Sequence, residues 1–165
     1  MTAGSTVLHT PESGVPMIRI LLADDHAAVR RGFRRILSTD DACDVCAEAV
    51  NGADAVALAV ARQPDVVILD VFMPVLSGIE AARRIRAALP GAEIAIVTLH
   101  EDDELRRAAS VAGARAFLYK SEADEHLLAA VHALAEHRPY AVPRRDLDAP
   151  RSQRASLPWL RSAGD

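Results

Sequence analysis

A chain of 165 residues is sized for one compact core, and with 50% hydrophobic but only 4% aromatic residues that core must be built from Ala, Val, Leu and Ile, as in layered α/β folds. The formal charge of −4 is unevenly spread: residues 138–165 hold six Arg and three Asp, leaving +3 there and −7 on residues 1–137, which argues against a duplex nucleic-acid surface on the acidic body. No run of ~18 apolar residues is present to span a bilayer, and residues 1–16 lack the charged and apolar regions of a signal peptide, so no membrane association and a cytoplasmic location are expected.

Residues 1–16 mix Thr, Ser, Gly and Pro without periodicity and are expected to be a disordered leader, with Met17 as an alternative start. From there apolar runs alternate with helical patterns. Ile18 to Ala23 reads as a first strand, followed by a helix whose apolar stripe is Val29, Phe33, Ile36 and Leu37. Asp44 to Ala49 reads as a second strand, and Val56 with Val60 marks a short apolar second helix. Cys43 and Cys46 form a CxxC here, but two cysteines cannot complete a four-ligand zinc site, so they are taken as ordinary strand residues.

Val66 to Asp70 reads as a third strand, with a third helix on Ile79, Ala82, Ile85 and Leu89. Ile94 to Thr98 is a fourth, and 102–112 carries the thinnest helical stripe, from Leu105, Ala108, Ala109 and Ala112. Ala116 to Tyr119 is a fifth strand, and Leu127, Val131 and Leu134 mark a fifth helix. Residues 138–165, rich in Arg, Pro, Ser and Ala, read as a disordered tail, in which Leu157 to Leu160 (LPWL) is an apolar patch. Residues 17–137 are thus a single domain. Five βα units with near-continuous apolar strands imply a doubly wound, five-stranded parallel sheet, whose ligands bind at the carboxyl ends of the strands.

At that edge the sequence gathers Asp24 and Asp25 after the first strand, Asp70 at the end of the third, Thr98 at the end of the fourth and Lys120 after the fifth. Three carboxylates in one pocket repel one another and need a compensating cation. Magnesium suits oxygen ligands of this kind, with manganese as a substitute, and its charge would keep Asp70 ionised. An Asp carboxylate attacking phosphorus forms an acyl phosphate. Lys120 and the Thr98 hydroxyl would then pair with phosphoryl oxygens.

The segments ILLADDH, LDVFMPVLSGIEAARRI, VTLHEDDE and GARAFLYK resemble the receiver domain of two-component response regulators over about residues 17–137. The resemblance combines an acidic pair, an Asp followed by Pro74 and Gly78, a Thr and a Lys in family order. It implies a flavodoxin-like (βα)5 fold with strand order 2-1-3-4-5. It also implies phosphorylation of Asp70 by a phosphohistidine of a sensor kinase. Asp24 and Asp25 would be metal-binding acids, joined by Asp70 and the backbone carbonyl of Phe72. Thr98 and Phe117 would be a switch pair acting on the surface of the fourth helix, fifth strand and fifth helix, where homodimers, heterodimers or partners dock. Phe117 lies three residues before Lys120, so a regular strand points the two side chains to opposite faces.

Bland alternatives exist for each residue taken singly. Asp24 and Asp25 could cap the first helix, Asp70 could be a strand-end acid, Thr98 a β-branched strand residue, Lys120 a solvated charge and Phe117 core packing. His26 and His100 sit at the same edge and could tune phosphate lifetime or contact the kinase, but the simpler reading is exposed loop histidines, with Glu101 to Glu104 as an acidic first turn. The wording is closest to the NarL/FixJ-type subfamily, and HRPYAVP resembles its entry into the interdomain linker. Only 22 residues follow Pro143, too few for a helix-turn-helix domain, so specific nucleic-acid binding by this chain is not expected. Two outputs stay open: a stand-alone receiver acting through protein contacts, or the receiver half of a transcriptional regulator whose DNA-binding half is lost or not in this chain, leaving a receiver that can pair with an intact relative. A dinucleotide-dependent oxidoreductase would need a glycine-rich turn where ADDHA stands. A dehalogenase-like phosphatase would need an acid at Phe72.

Overall fold

The computed structural model describes residues 16–142, together with Gly14. The expected LPWL patch and most of the 1–16 leader lie outside the described residues. In chain order the elements are β1 (Ile18–Ala23), α1 (Ala27–Leu37), β2 (Cys43–Ala49), α2 (Gly52–Arg62), β3 (Val66–Asp70), α3 (Gly78–Ala88), β4 (Glu93–Thr98), α4 (Asp103–Val111), β5 (Ala116–Tyr119), a 3-10 turn (Lys120–Glu122), α5 (Ala123–Ala135) and β6 (Tyr140–Ala141). Among the described residues no helix is long and apolar enough to cross a membrane.

All strand pairs are parallel, in the order β2-β1-β3-β4-β5-β6. The doubly wound parallel sheet is therefore as expected, but among the described residues it has six strands and not five. β6 falls where the sequence suggested an unstructured tail. Its cause is local. At the end of α5 the His137 N–H reaches the Leu134 carbonyl and the Arg138 N–H the Ala133 carbonyl, both at 2.8 Å, while His137 takes φ +57°. This left-handed cap reverses the chain and lays Tyr140 and Ala141 beside Ala116 and Phe117. The Tyr140 hydroxyl, 2.9 Å from His126 Nδ1, fixes the strand to α5.

The alternation of strand side chains divides the core. Leu21, Val67, Leu69, Ile94, Ile96 and Phe117 face α2, α3 and α4, while Ile20, Leu22, Val66, Ile68, Val97 and Leu118 face α1 and α5. The α1 stripe is as expected at Val29, Phe33 and Leu37. In α2 the expected stripe is corrected in part: Val56 packs against the core, but Val60 is half exposed and the fully buried positions are Ala55 and Ala59. β2 carries an irregularity opposite Ile20 and Leu21 that skips Cys46. Both cysteines are free and half-buried.

Two glycines set the shape of the β3–α3 loop. A Cβ on Gly78 would stand 1.8 Å from the Asp70 carbonyl oxygen, and one on Gly52 2.1 Å from that of Leu76, so backbone approaches backbone where no side chain fits. The Gly78 N–H donates to the Val71 carbonyl at 2.9 Å and fastens α3 directly under the end of β3. Within this loop Val75, 82% exposed, holds φ +69°, a left-handed conformation that a β-branched side chain disfavours by about 1–2 kcal/mol. Val75→Asn should therefore stabilise the chain by up to ~1 kcal/mol in urea denaturation. No gain would mean that the loop relaxes out of the left-handed region.

Candidate functional site

Because the strands are parallel and in register, their carboxyl ends finish side by side: Ala23 lies opposite Leu69, Asp70 opposite Val97, and Thr98 opposite Tyr119. The residues just beyond those ends are thereby delivered to one rim. Asp24, Asp70, Thr98 and Lys120 are all buried there, in an otherwise apolar setting.

Lys120 is the centre of the arrangement. It opens the 3-10 turn after β5, and its buried Nζ lies 2.5 Å from Asp24 Oδ2 and 3.3 Å from Asp70 Oδ1. One ammonium thus bridges two carboxylates carried by different strands. Asp24 Oδ1 accepts the His26 backbone N–H at 2.8 Å, and Arg30 Nη1 donates to the Asp24 carbonyl at 2.8 Å, so α1 holds this acid from below. Asp25 is more exposed and meets Asp24 through His26, whose Nδ1 lies 3.3 Å from Asp24 Oδ1 and 3.0 Å from Asp25 Oδ1.

The close approach of Lys120 to Asp24 Oδ2 is an ionic contact. The adjacent carboxylates of Asp24 and Asp25, oxygen donors in excess over the one lysine, fit a hard divalent cation. The donor atoms of Asp24, Asp25 and His26 all lie within 4.8 Å of one another.

Burial is the main influence on Asp70 and pushes its carboxyl up to about 6. Lys120 opposes this shift, while the negative charges of Asp24 and Asp25 add to it. Thr98 is fully buried at the end of β4, and its Oγ1 accepts the His100 N–H at 3.3 Å. Phe117 points to the opposite face from Lys120, shares a core cluster with Ala109 of α4 and Ala112 just beyond it, and carries the Arg106 guanidinium 4.8 Å from its ring centroid. Arg106 also reaches the Tyr119 hydroxyl at 3.2 Å. The Phe72 side chain points out to solvent and meets the His100 ring edge-on at 4.8 Å.

Of the residues picked from sequence, Asp24, Asp70 and Lys120 are in direct contact, Asp25 joins them through His26, Thr98 ends the neighbouring strand, and Phe117 lies behind the sheet. The sequence places His26 at this edge but does not show that its ring sits between the carboxylates of Asp24 and Asp25. Arg30, one turn into α1, gave no signal in the sequence beyond an ordinary helix charge.

The family model described as response regulator receiver domain matches residues 20–132. The chain is 42% identical over 118 residues to the uncharacterized transcriptional regulatory protein YxjL of Bacillus subtilis, covering 72% of this chain and 54% of that protein. It is 33% identical over 128 residues to response regulator GacA of Pseudomonas aeruginosa, covering 78% and 60%. Among solved structures, a two-component response regulator of the LuxR family from Aurantimonas sp. SI85-9A1 superposes with a TM-score of 0.71 at 36% identity, covering 74% of this chain and 88% of that one. The chain spans about half the length of the curated relatives it matches.

The raised carboxyl has a consequence for stability. Between the ordinary carboxylate value and about 6, the folded chain binds more protons at Asp70 than the unfolded chain does, so this residue makes folding less favourable as pH rises through that window. In metal-free buffer, Asp70→Asn should raise the melting temperature by several degrees at pH 8 and by clearly less at pH 5. A gain that is equal at both pH values would show that the Asp70 charge is not the cause.

Proposed function

The chain belongs to the response regulator receiver domain family, and we propose on that premise that Asp70 accepts a phosphoryl group from a phosphohistidine of a sensor histidine kinase. Members of this family are signalling proteins that take phosphate in a magnesium-dependent reaction. The observation that carries the assignment to Asp70 is the buried Lys120 ammonium held between Asp24 and Asp70.

An Asp70 carboxylate oxygen attacks phosphorus, forming a P–O bond as the P–N bond to the kinase imidazole breaks, and the electron pair stays with the leaving imidazole. Lys120 would offset charge on one phosphoryl oxygen, and the Thr98 hydroxyl would turn to donate to another. Asp24, Asp25, Asp70 and the Phe72 backbone carbonyl would hold Mg2+, or Mn2+ in its place, which supplies positive charge for the phosphoryl oxygens. Burial of the pocket keeps water from competing with these contacts.

Thr98 and Phe117 are proposed as the switch. Movement of the Thr98 hydroxyl towards phosphate would open space at the end of β4, and the Phe117 ring would reposition beneath α4. Allosteric couplings are typically ~1–3 kcal/mol, enough to shift the population of this surface without remaking the fold. The α4–β5–α5 surface would then signal through protein contacts, including homodimers or heterodimers. The signalling body is assigned to residues 17–137, and no sequence-specific nucleic-acid contact is assigned to this chain.

A second reading is favoured by one observation: the relative YxjL is described as a transcriptional regulatory protein and is nearly twice as long as the stretch matched. On that reading the chain acts as the receiver half of a transcriptional regulator. Mobility of duplex DNA separates the two, since the basic tail alone should give only weak, salt-sensitive, sequence-independent retention. Sequence-specific retention would overturn the stand-alone reading.

Intact mass after incubation with acetyl phosphate tests the acceptor. One phosphate adduct is expected in the presence of Mg2+, with none after chelation and none in Asp70→Asn. An adduct that survives in Asp70→Asn would place the acceptor elsewhere.

A further inference from the structure

A second group of metal-ligating side chains lies at the other end of the sheet. Asp40 sits in the turn after α1, Cys43 opens β2, and His132 occupies the last turn of α5. Strands of six or seven residues are ~20 Å long, so this group is well removed from the acidic rim at the carboxyl ends. Its carboxylate oxygen, thiol sulfur and imidazole nitrogen all lie within 4.8 Å of one another.

The three are held by the fold. Asp40 Oδ1 accepts the Ala42 N–H at 2.9 Å, and the Asp40 carbonyl accepts the Cys43 N–H at 3.0 Å, so a closed turn fixes the acid relative to the cysteine. Asp40 Oδ2 lies 2.6 Å from His132 Nε2, across 92 positions of sequence. Each of the three side chains is partly buried, which weakens competition by water while leaving a path for an ion.

We propose that Asp40, Cys43 and His132 form a binding site for a borderline divalent transition metal, zinc first, linking the α1–β2 turn to α5. The donor types decide the class. Thiolate and imidazole select zinc and its neighbours over magnesium and calcium, and a single carboxylate completes a three-ligand set with a fourth position left to water. Ligand distances of ~2.0–2.3 Å require small side-chain adjustments, chiefly separation of the Asp40 and His132 donor atoms. On binding, the Cys43 thiol releases its proton to solvent as the thiolate forms. Cys46 has no part in the site. The CxxC spacing is misleading here, because the partners of Cys43 come from the preceding turn and from α5.

Cobalt(II) substitution tests this on the full chain. One equivalent of Co2+ should produce a near-ultraviolet sulfur-to-cobalt charge-transfer band that is removed stoichiometrically by Zn2+. The band should vanish in Cys43→Ser and persist in Cys46→Ser and in Asp24→Asn, which disables the acidic rim. His132→Gln should weaken Co2+ binding by at least the ~10- to 100-fold that loss of an outer-shell partner costs. His132→Cys should retain the metal with a stronger sulfur band, which keeps the test decisive if Cys43→Ser folds poorly. No band in the native chain, or one unaffected by the changes at Cys43 and His132, would overturn the proposal and leave Asp40 and His132 as an ordinary ion pair.

Discussion

Burying an ammonium between two carboxylates is the constraint around which the rest of this molecule is arranged. Lys120 Nζ is shut away from water between Asp24 and Asp70, and taking these charges out of water is costly unless they compensate one another. The compensation is incomplete. Two buried acids face one lysine, a third acid stands beside them, and Asp70 is driven up to about 6. A site with this surplus of negative charge favours the arrival of positive charge and gives up stability to remain ready for it.

The fold supplies the geometry this requires. A parallel sheet ends all its strands at one rim, so residues distant in sequence meet without a long loop. Gly78 lets α3 begin against the Asp70 carbonyl, and the strained Val75 shows how tightly the β3–α3 loop is drawn around that contact. Alternation along β5 then separates two tasks: Lys120 follows the strand into the acidic pocket, while Phe117 points under α4 to meet Arg106.

Much of this is legible in the sequence, for physical reasons. Parallel strands buried on both faces read as continuous apolar runs, and a charged residue at the end of such a run stands out, which is how Asp70 and Lys120 were found. β6 was missed because two residues carry no period, and its position depends on the left-handed cap at His137. In α2 Val56 meets the core as its apolar character suggests, but the fully buried positions are Ala55 and Ala59, whose small side chains carry little hydrophobic signal. His26, Arg30 and the Asp40–His132 pair belong to a different class of miss: their meaning lies in a partner's position, and spacing along the chain does not encode it.

The charge state of the Asp70 carboxyl decides how the pocket behaves, and carbon-13 NMR of labelled Asp70 measures it directly. Without metal, the Asp70 carboxyl should titrate well above the ordinary aspartate value, near the expected value of about 6, and saturating Mg2+ should move that titration down by at least one unit. A carboxyl that titrates at the ordinary value with no response to Mg2+ would contradict the picture of an acidic pocket held under electrostatic tension.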